Sequence, residues 1–364
     1  MPLAKYTFRP GINREGTNYS NEGGWFNSDK VRFRKGKPER IAGWEKNSLN
    51  SFKGTARSLY SYRDTDSTSY IGVGTHLKYF VKEGSTFYDI TPIRKTSTNS
   101  ITFAATDGSS VVVVTDSSHG ATANDSVTFS SAVTLGGNIT ADVLNQEYQV
   151  DRVLTSNTYE ITAKDTSGST VTANSSDTGN GGSGVDGSYE INVGLDVFVK
   201  GTGWGAGTWG SGTWGSTTAL SAIGQLRLWS QDNFGDDLIG NIRGGGIFYW
   251  DESSGVTSRA VALSSLAGAS DTPIEALQVM VSDIDKHVIC FGSNPIGSST
   301  LNPLFVRWSD TESASDWTPT ATNQAGGIQL SQGSLIVGAL QTRQEILIWT
   351  DVGITSMRFV GEPF

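Results

Sequence analysis

The sequence predicts an all-β protein, a propeller-like domain interrupted by a small inserted β-sandwich or barrel, with at most one short helix. Three observations lead there. Glycine is abundant, 44 of 364 residues, against an ordinary usage of about 7%, whereas proline is scarce at 9 residues. Ser, Thr, Asn and Asp fill most of the other polar positions, and Asn and Asp join glycine in tolerating the positive φ of tight hairpin turns. Short alternating apolar and polar runs are broken by turn signals every eight to ten residues or so, the cadence of sandwiches and propellers.

Three compositional zones order the elements. Residues 1–95 mix charge, aromatics and glycine and read as N-terminal hairpins followed by the first part of the propeller-like domain. In KVRFRKGKPERIAGW, Val31 and Phe33 alternate with Arg32 and Arg34, the period-two pattern of a half-buried strand. YIGVGTHLKYFVKEGSTFYDITP then gives strand, turn, strand, turn and a third strand ending at Pro92. Residues 96–190 are Ser/Thr/Val-rich and read as the inserted domain. Here SSVVVVTDSSHGATANDSVTFSS is a strand, a turn at His119-Gly120 and a second strand, and LNQEYQVDRVLTSNTYEITA gives two more. About seven short strands suffice for a small sandwich or barrel. SSDTGNGGSGVDGS, at 175–188, reads as a flexible exit linker.

Residues 191–364 continue the propeller-like domain. QLRLWSQ, GGIFYWD, KHVICFG, PLFVRWSD, EILIWTD and ITSMRFV are its strands. Three of them end in a tryptophan followed closely by aspartate: Trp250-Asp251, Trp308-Ser309-Asp310 and Trp349-Thr350-Asp351. A recurrence of that kind is what successive blades leave in a sequence, and blade packing removes exposed edges. GEPF follows directly on a strand, so the propeller is expected to be incomplete at this end, completed elsewhere or continued in a longer protein.

The formal net charge is −9. Gripping nucleic acid needs clustered cations that displace counterions, so the chain as a whole is excluded as a general nucleic-acid binder. Its acidity suits a surface that DNA slides past. The single cysteine, Cys290 in HVICFG, excludes an intrachain disulfide, fits assembly in a reducing cytosol and reads as a small buried hydrophobe. MPLAKYTFRP lacks the apolar run of a signal peptide, and VVVV at 111–114 is too short to span a bilayer. A soluble, non-secreted product is expected.

No catalytic, cofactor-binding or metal-binding residue is assigned, and the chain is expected not to be an enzyme. His76, His119 and His287 lie far apart without metal-ligand spacing. The glycines at 244–246 precede a strand instead of opening a helix, which removes the phosphate-cradling reading. The carboxylate pairs Asp236-Asp237 and Asp283/Asp285 lie in polar stretches where aspartate commonly makes Asx turns.

Two segments invite contact with a partner. Between Lys30 and Lys46 the basic residues Arg32, Arg34, Lys35, Lys37 and Arg40 face only Glu39 and Glu45. They read either as a solvated hairpin face or as a contact patch for an acidic neighbour or DNA phosphate. In GTGWGAGTWGSGTWGSTTAL, Trp204, Trp209 and Trp214 recur every fifth residue. Glycine at about 1 kcal/mol per helical position rules out a helix, and three indoles are a large apolar liability in a disordered linker. An ordered loop is expected, its indoles packed on the propeller wall, on a partner subunit, or exposed as a carbohydrate-stacking platform.

FRPGINREGTNYSNEGGWFNSDKVRFRKGKPERIAGW, followed in order by YDITPIR, YEINVGLD, GWGAGTWGSGTWG, LRLWSQDNFGDDLI, VRWSDTESASDWTP and EILIWTD, resembles the structural proteins of tailed phages. More loosely the chain is similar to the tail nozzle, or packaged-DNA stabilisation, proteins of short-tailed phages. This resemblance implies a sixfold ring of β-propeller subunits beneath the portal and adaptor. Such a ring gates the DNA channel and offers attachment surfaces to tail fibres, with no cofactor and no catalysis. It also implies that the inserted domain decorates the propeller and that the glycine-tryptophan loop helps order the ring, in a virion part assembled in the host cytoplasm. Two alternatives remain open: a baseplate, hub or fibre-attachment protein of a tailed phage, and a carbohydrate-binding propeller that recognises host glycan.

Overall fold

In the computed structural model the described residues are 9–17, 19–41, 43, 45–195 and 226–358. They fall into two compact units, Met1–Leu49 and Asn50–Phe364. The first unit carries one hairpin, β1 (Val31–Arg34) with β2 (Lys37–Arg40). Its turn residues Lys35 and Gly36 have φ of 49° and 76°, the paired positive values of a two-residue hairpin turn. As the alternation predicts, Val31 and Phe33 are half-buried while Arg32 and Arg34 are exposed. The Phe33 ring lies 6.2 Å from that of Trp25.

The second unit is all-β and propeller-like. Its first sheet is an antiparallel meander of β3 (Ala56–Arg63), β4 (Ser69–Thr75), β5 (Tyr79–Glu83) and β6 (Thr86–Asp89). A β-sandwich then interrupts the series. Its strands are β7 (Ile93–Ser97), β8 (Thr102–Ala105), β9 (Val111–Thr115), β10 (Ser126–Ser130), β11 (Glu147–Gln149), β12 (Arg152–Thr155), β13 (Thr158–Thr162) and β14 (Asp186–Glu190). One sheet has the order β11-β10-β14-β7 and the other β12-β13-β9-β8, so the chain enters and leaves through the neighbouring strands β7 and β14. The one α-helix among the described residues, α1 (Ala141–Leu144), is capped by the Thr140 side chain. Three more meanders follow: β15 (Trp229–Phe234) to β18 (Val261–Ala262) through β16 (Asp237–Ile242) and β17 (Ile247–Trp250); β19 (Ala276–Val281) to β22 (Gly326–Gln329) through β20 (Val288–Ser293) and β21 (Phe305–Trp308); and β23 (Ile336–Gln341), β24 (Ile346–Thr350) and β25 (Ile354–Met357).

What makes this series propeller-like is how period two distributes the side chains. Val288 and Cys290 of β20 enter the core shared with the second meander, while Ile289 and Phe291 enter the core shared with the fourth. Phe248 and Trp250 of β17 likewise point into the core under the first meander, and Ile247 and Tyr249 into the core under the third. The inner sheets thus bury both faces, which is why β20 is buried at every position and reads as a continuous apolar run. First strands pack on first strands, β3 on β15, β15 on β19 and β19 on β23. Side-chain bonds tie them: Gln231 Nε2 donates to Ser58 Oγ at 2.9 Å, and Gln278 exchanges two 2.8 Å bonds with the Ala339 backbone. Gly74 permits a close approach, because a Cβ there would lie 2.4 Å from Trp229 Cγ.

The sandwich has its own core, bridged by the Tyr159–Tyr189 hydroxyl pair at 2.9 Å. The strands on either side of the His119-Gly120 turn join different sheets, β9 one and β10 the other. One reading of this region is corrected. The stretch 175–188, read as a flexible linker, is woven into the sandwich. The buried Asp177 carboxylate accepts from the backbone N–H groups of Asn174, Gly137, Asn138 and Ile139 at 2.7–3.0 Å, and Asp186–Glu190 is strand β14. Glycine and serine there serve close backbone approach instead of mobility. The tryptophan recurrence is also uneven, since Trp250 and Trp308 end third strands whereas Trp349 lies near the end of a second strand.

Candidate functional site

The most concentrated chemistry in the second unit is a buried ion cluster where the sandwich meets the first meander. Lys78, just ahead of β5, has a side chain only 2% exposed. Its Nζ lies 2.7 Å from Asp89 at the end of β6, 3.0 Å from Glu147 at the start of β11 and 2.9 Å from Glu190 at the end of β14. Arg259, ahead of β18, reaches Asp89 at 3.0 Å and Glu190 at 2.8 Å, and Lys53 reaches Glu147 at 2.8 Å. One ammonium thus joins the sandwich to the first meander, and Arg259 adds the second.

Oxygens of Asp89, Glu147 and Glu190 lie within 4.8 Å of one another, a spacing that a hard divalent cation could use. The Lys78 ammonium bonds to all three, however, and with Arg259 and Lys53 it balances the three carboxylates. The cluster is therefore read as a clamp. Burial works to lower Lys78, but the facing carboxylates outweigh it and hold the ammonium above its ordinary value. Burial likewise works to raise Asp89 and Glu147, yet the cations hold both below the ordinary carboxylate range. Burial prevails at Glu190, whose carboxyl is pushed up and whose Oε2 is buried with no hydrogen-bond partner.

The pH dependence follows from these directions. Asp89 and Glu147, depressed in the fold, contribute stability that is present above their unfolded values near 3.8 and 4.5 and lost as pH falls through the folded ones. Lys78, raised in the fold, contributes stability that is present below 10.5 and lost as pH rises through its folded value. Glu190, raised, opposes folding at neutral pH and moderates the acid limb. Thermal unfolding followed across pH should show the sandwich–meander junction loosening below about pH 4 and again above about pH 10.5.

A second junction supports the first. Asp125, fully buried, accepts from Thr122 N at 2.7 Å, Asn192 Nδ2 at 2.6 Å and Val193 N at 2.7 Å. Arg227 donates to the carbonyl of Asn192, and burial lowers its guanidinium to about 10. Beside the clamp lies a polar cleft of about 370 Å³, lined by Lys53, Gln146, Asp151, Thr162 and Lys164 among others. An apolar cavity of similar size separates the third and fourth meanders, with Ile289, Trp308, Leu330, Ile348 and Met357 in its walls.

The residues singled out in the sequence are spread over the molecule. Arg32, Arg34, Lys35, Lys37 and Arg40 are all exposed on the β1–β2 hairpin. Arg32 pairs with Glu39 at 3.3 Å, and the other four make no ion pair among the described residues. Trp204, Trp209 and Trp214 lie outside the described residues. Asp236 caps the first hairpin of the neighbouring meander, accepting from Thr65 N at 2.8 Å and Thr65 Oγ1 at 2.9 Å. Asp237 accepts from the Tyr249 hydroxyl and from Glu252 N, and Asp283 and Asp285 lie in the β19–β20 connection. The three histidines are not brought together: the His76 and His119 imidazoles accept backbone N–H groups of Thr55 and Ala121, and His287 bonds the Ser309 carbonyl. Cys290 is fully buried, and burial pushes its thiol up, away from nucleophilic character.

Sequence reasoning missed the clamp. Its signal was the placing of charges inside apolar strand patterns, Lys78 in HLKYF and Glu190 in YEINV, where charge is tolerated only when paired.

No helix among the described residues is long and apolar enough to cross a membrane. No protein-family model matches the chain, and no curated protein matches it. Among solved structures it is similar to a phage phi92 endosialidase, with a TM-score of 0.22 and 12% identity over 86% of this chain. The match spans 43% of that structure's length. This comparison corrects the expectation of a non-enzymatic chain, since the similar structure bears the name of an enzyme, and absence of catalysis is no part of the account that follows.

Proposed function

We propose that this chain is a structural component of a bacteriophage tail, a nozzle-type subunit of a sixfold ring below the portal and adaptor. In this reading the ring retains packaged DNA, forms part of the ejection channel, and offers surfaces to tail fibres. It assembles in the host cytoplasm and resides in the virion. The reading rests on the phage-type motifs, which run in order along nearly the whole chain. The propeller-like meander series is compatible with it, as is the paired-ion clamp, which would hold the sandwich as a fixed decoration.

The division into propeller parts at 1–95 and 191–364 with an inserted domain at 96–190 belongs to the same proposal. So do the assignments of Trp204, Trp209 and Trp214 to a subunit interface and of Arg32, Arg34, Lys35, Lys37 and Arg40 to a contact patch. DNA passes without sequence-specific binding, consistent with the net charge of −9.

Native mass spectrometry of the full chain, beside a Trp209→Ser/Trp214→Ser variant, tests this reading. The expected result is a sixfold assembly that falls to smaller species in the variant. A monomer indifferent to the change would overturn it, and quenching of that monomer's tryptophan fluorescence by polysaccharide would favour glycan binding.

A further inference from the structure

Charge is unevenly placed along this chain. Met1–Leu49, the first unit, holds 10 of the 27 Lys and Arg but only 5 of the 36 Asp and Glu. A unit of net charge +5 thus belongs to a chain of net charge −9. Its cations are densest at the tip of the β1–β2 hairpin, where Arg34, Lys35 and Lys37 flank Gly36 and all three are exposed. The ion pairs among this unit's described residues are Arg32–Glu39 at 3.3 Å and Lys30–Asp29 at 3.7 Å, so neither serves the tip.

Two features of the tip run against hairpin stability and call for a counter-charge. Arg34 stands directly opposite Lys37, and like charges facing each other across a strand pair repel. Lys35 holds a φ of 49° ahead of Gly36 at 76°, a turn that Asn or Gly fits more readily. A lysine is kept where a neutral residue suits the backbone better, the kind of local strain that gathers at functional positions. The register also sorts the two faces. Arg32, Arg34, Lys37 and Glu39 share one, and Val31, Phe33, Pro38 and Arg40 the other. The face that carries Arg34 and Lys37 therefore offers no apolar side chain, whereas the core of a protein–protein interface is apolar and depleted of lysine. A hydrated, regularly charged phosphate backbone suits it better.

We infer that Arg34, Lys35 and Lys37 contact the phosphate backbone of nucleic acid, without regard to base sequence. This rests on the contact-patch reading above and names its partner. The net charge of −9 does not forbid it, because exposed charges are largely screened beyond about 8 Å at physiological ionic strength. The acidic surface lets DNA slide, and one cationic tip per copy supplies the grip that retention needs.

Binding of the full chain to a fluorescently labelled DNA duplex, followed by polarisation as salt is raised, tests this contact. Two duplexes of unrelated sequence should bind alike. Each phosphate contact contributes about 0.9 to the slope of log affinity against log salt. The slope should therefore fall by about 0.9 in Lys35→Asn, a change that suits the turn, and by about 2.7 in Arg34→Gln/Lys35→Asn/Lys37→Gln. Lys164→Gln removes an exposed cation beside the sandwich cleft and should leave the slope unchanged. An equal fall in Lys164→Gln, an unaltered slope in the triple variant, or tighter binding of polyglutamate than of DNA would overturn the contact. Native mass spectrometry of the same samples separates it from the ring reading. A sixfold ring that does not bind DNA would sink the contact alone, and a monomer whose DNA binding needs the tip would sink the ring alone.

Discussion

Replacing Lys78 by methionine is expected to lower the stability of the second unit by about 3–5 kcal/mol, the cost of breaking a buried pair by removing one partner. Lys78 is the group on which Asp89, Glu147 and Glu190 converge, at 2.7–3.0 Å. Methionine keeps most of the stem's packing but leaves three carboxylates facing one another, with Arg259 and Lys53 as their only cations. Chemical denaturation monitored by far-ultraviolet circular dichroism measures the loss. The same change in a Glu190→Gln background should cost less, because one of the stranded charges is already gone. Equal losses in the two backgrounds would mean that Lys78 acts through packing alone, and a loss below about 1 kcal/mol would mean that water reaches the cluster.

Trp229→Ala should cost a similar 3–5 kcal/mol or so, the range for truncating a buried large aromatic side chain. This side chain is a central part of the core shared by the first and second meanders. Its ring stacks on Tyr79 at 4.5 Å with an 18° tilt, and its Nε1 donates to the Thr75 carbonyl at 2.8 Å. Gly74 leaves the space the indole fills. Trp229→Phe should recover much of the stacking while still losing the hydrogen bond, so it should fall between the two. If Trp229→Ala cost no more than an exposed substitution, the meanders would not be holding each other through this core.

The all-β, propeller-like fold was legible because its cause is local. Val31 to Arg34 alternate in the sequence and in exposure, and KHVICFG, read as a strand, is β20. The strand, turn, strand, turn, strand order read in YIGVGTHLKYFVKEGSTFYDITP is the order of β4, β5 and β6. Pairing across distance was less legible. The His119-Gly120 turn looks like any hairpin turn, yet it carries the chain from one sheet to the other, a choice made by the sandwich core and not by the turn. The stretch 175–188 looked like a linker because glycine and serine dominate it, and only the tertiary position of Asp177 among four N–H groups shows otherwise. The clamp was least legible, since its members lie more than a hundred residues apart between Lys78 and Glu190. Charge in a strand signals a partner but does not say which.

The central claim, that this chain builds a ring around a DNA channel, is tested most directly by cryo-electron microscopy of the purified full-length assembly. The account expects a sixfold ring with an axial channel whose wall carries more Asp and Glu than Lys and Arg. A closed monomer, or a ring whose channel is lined by cations, would contradict it.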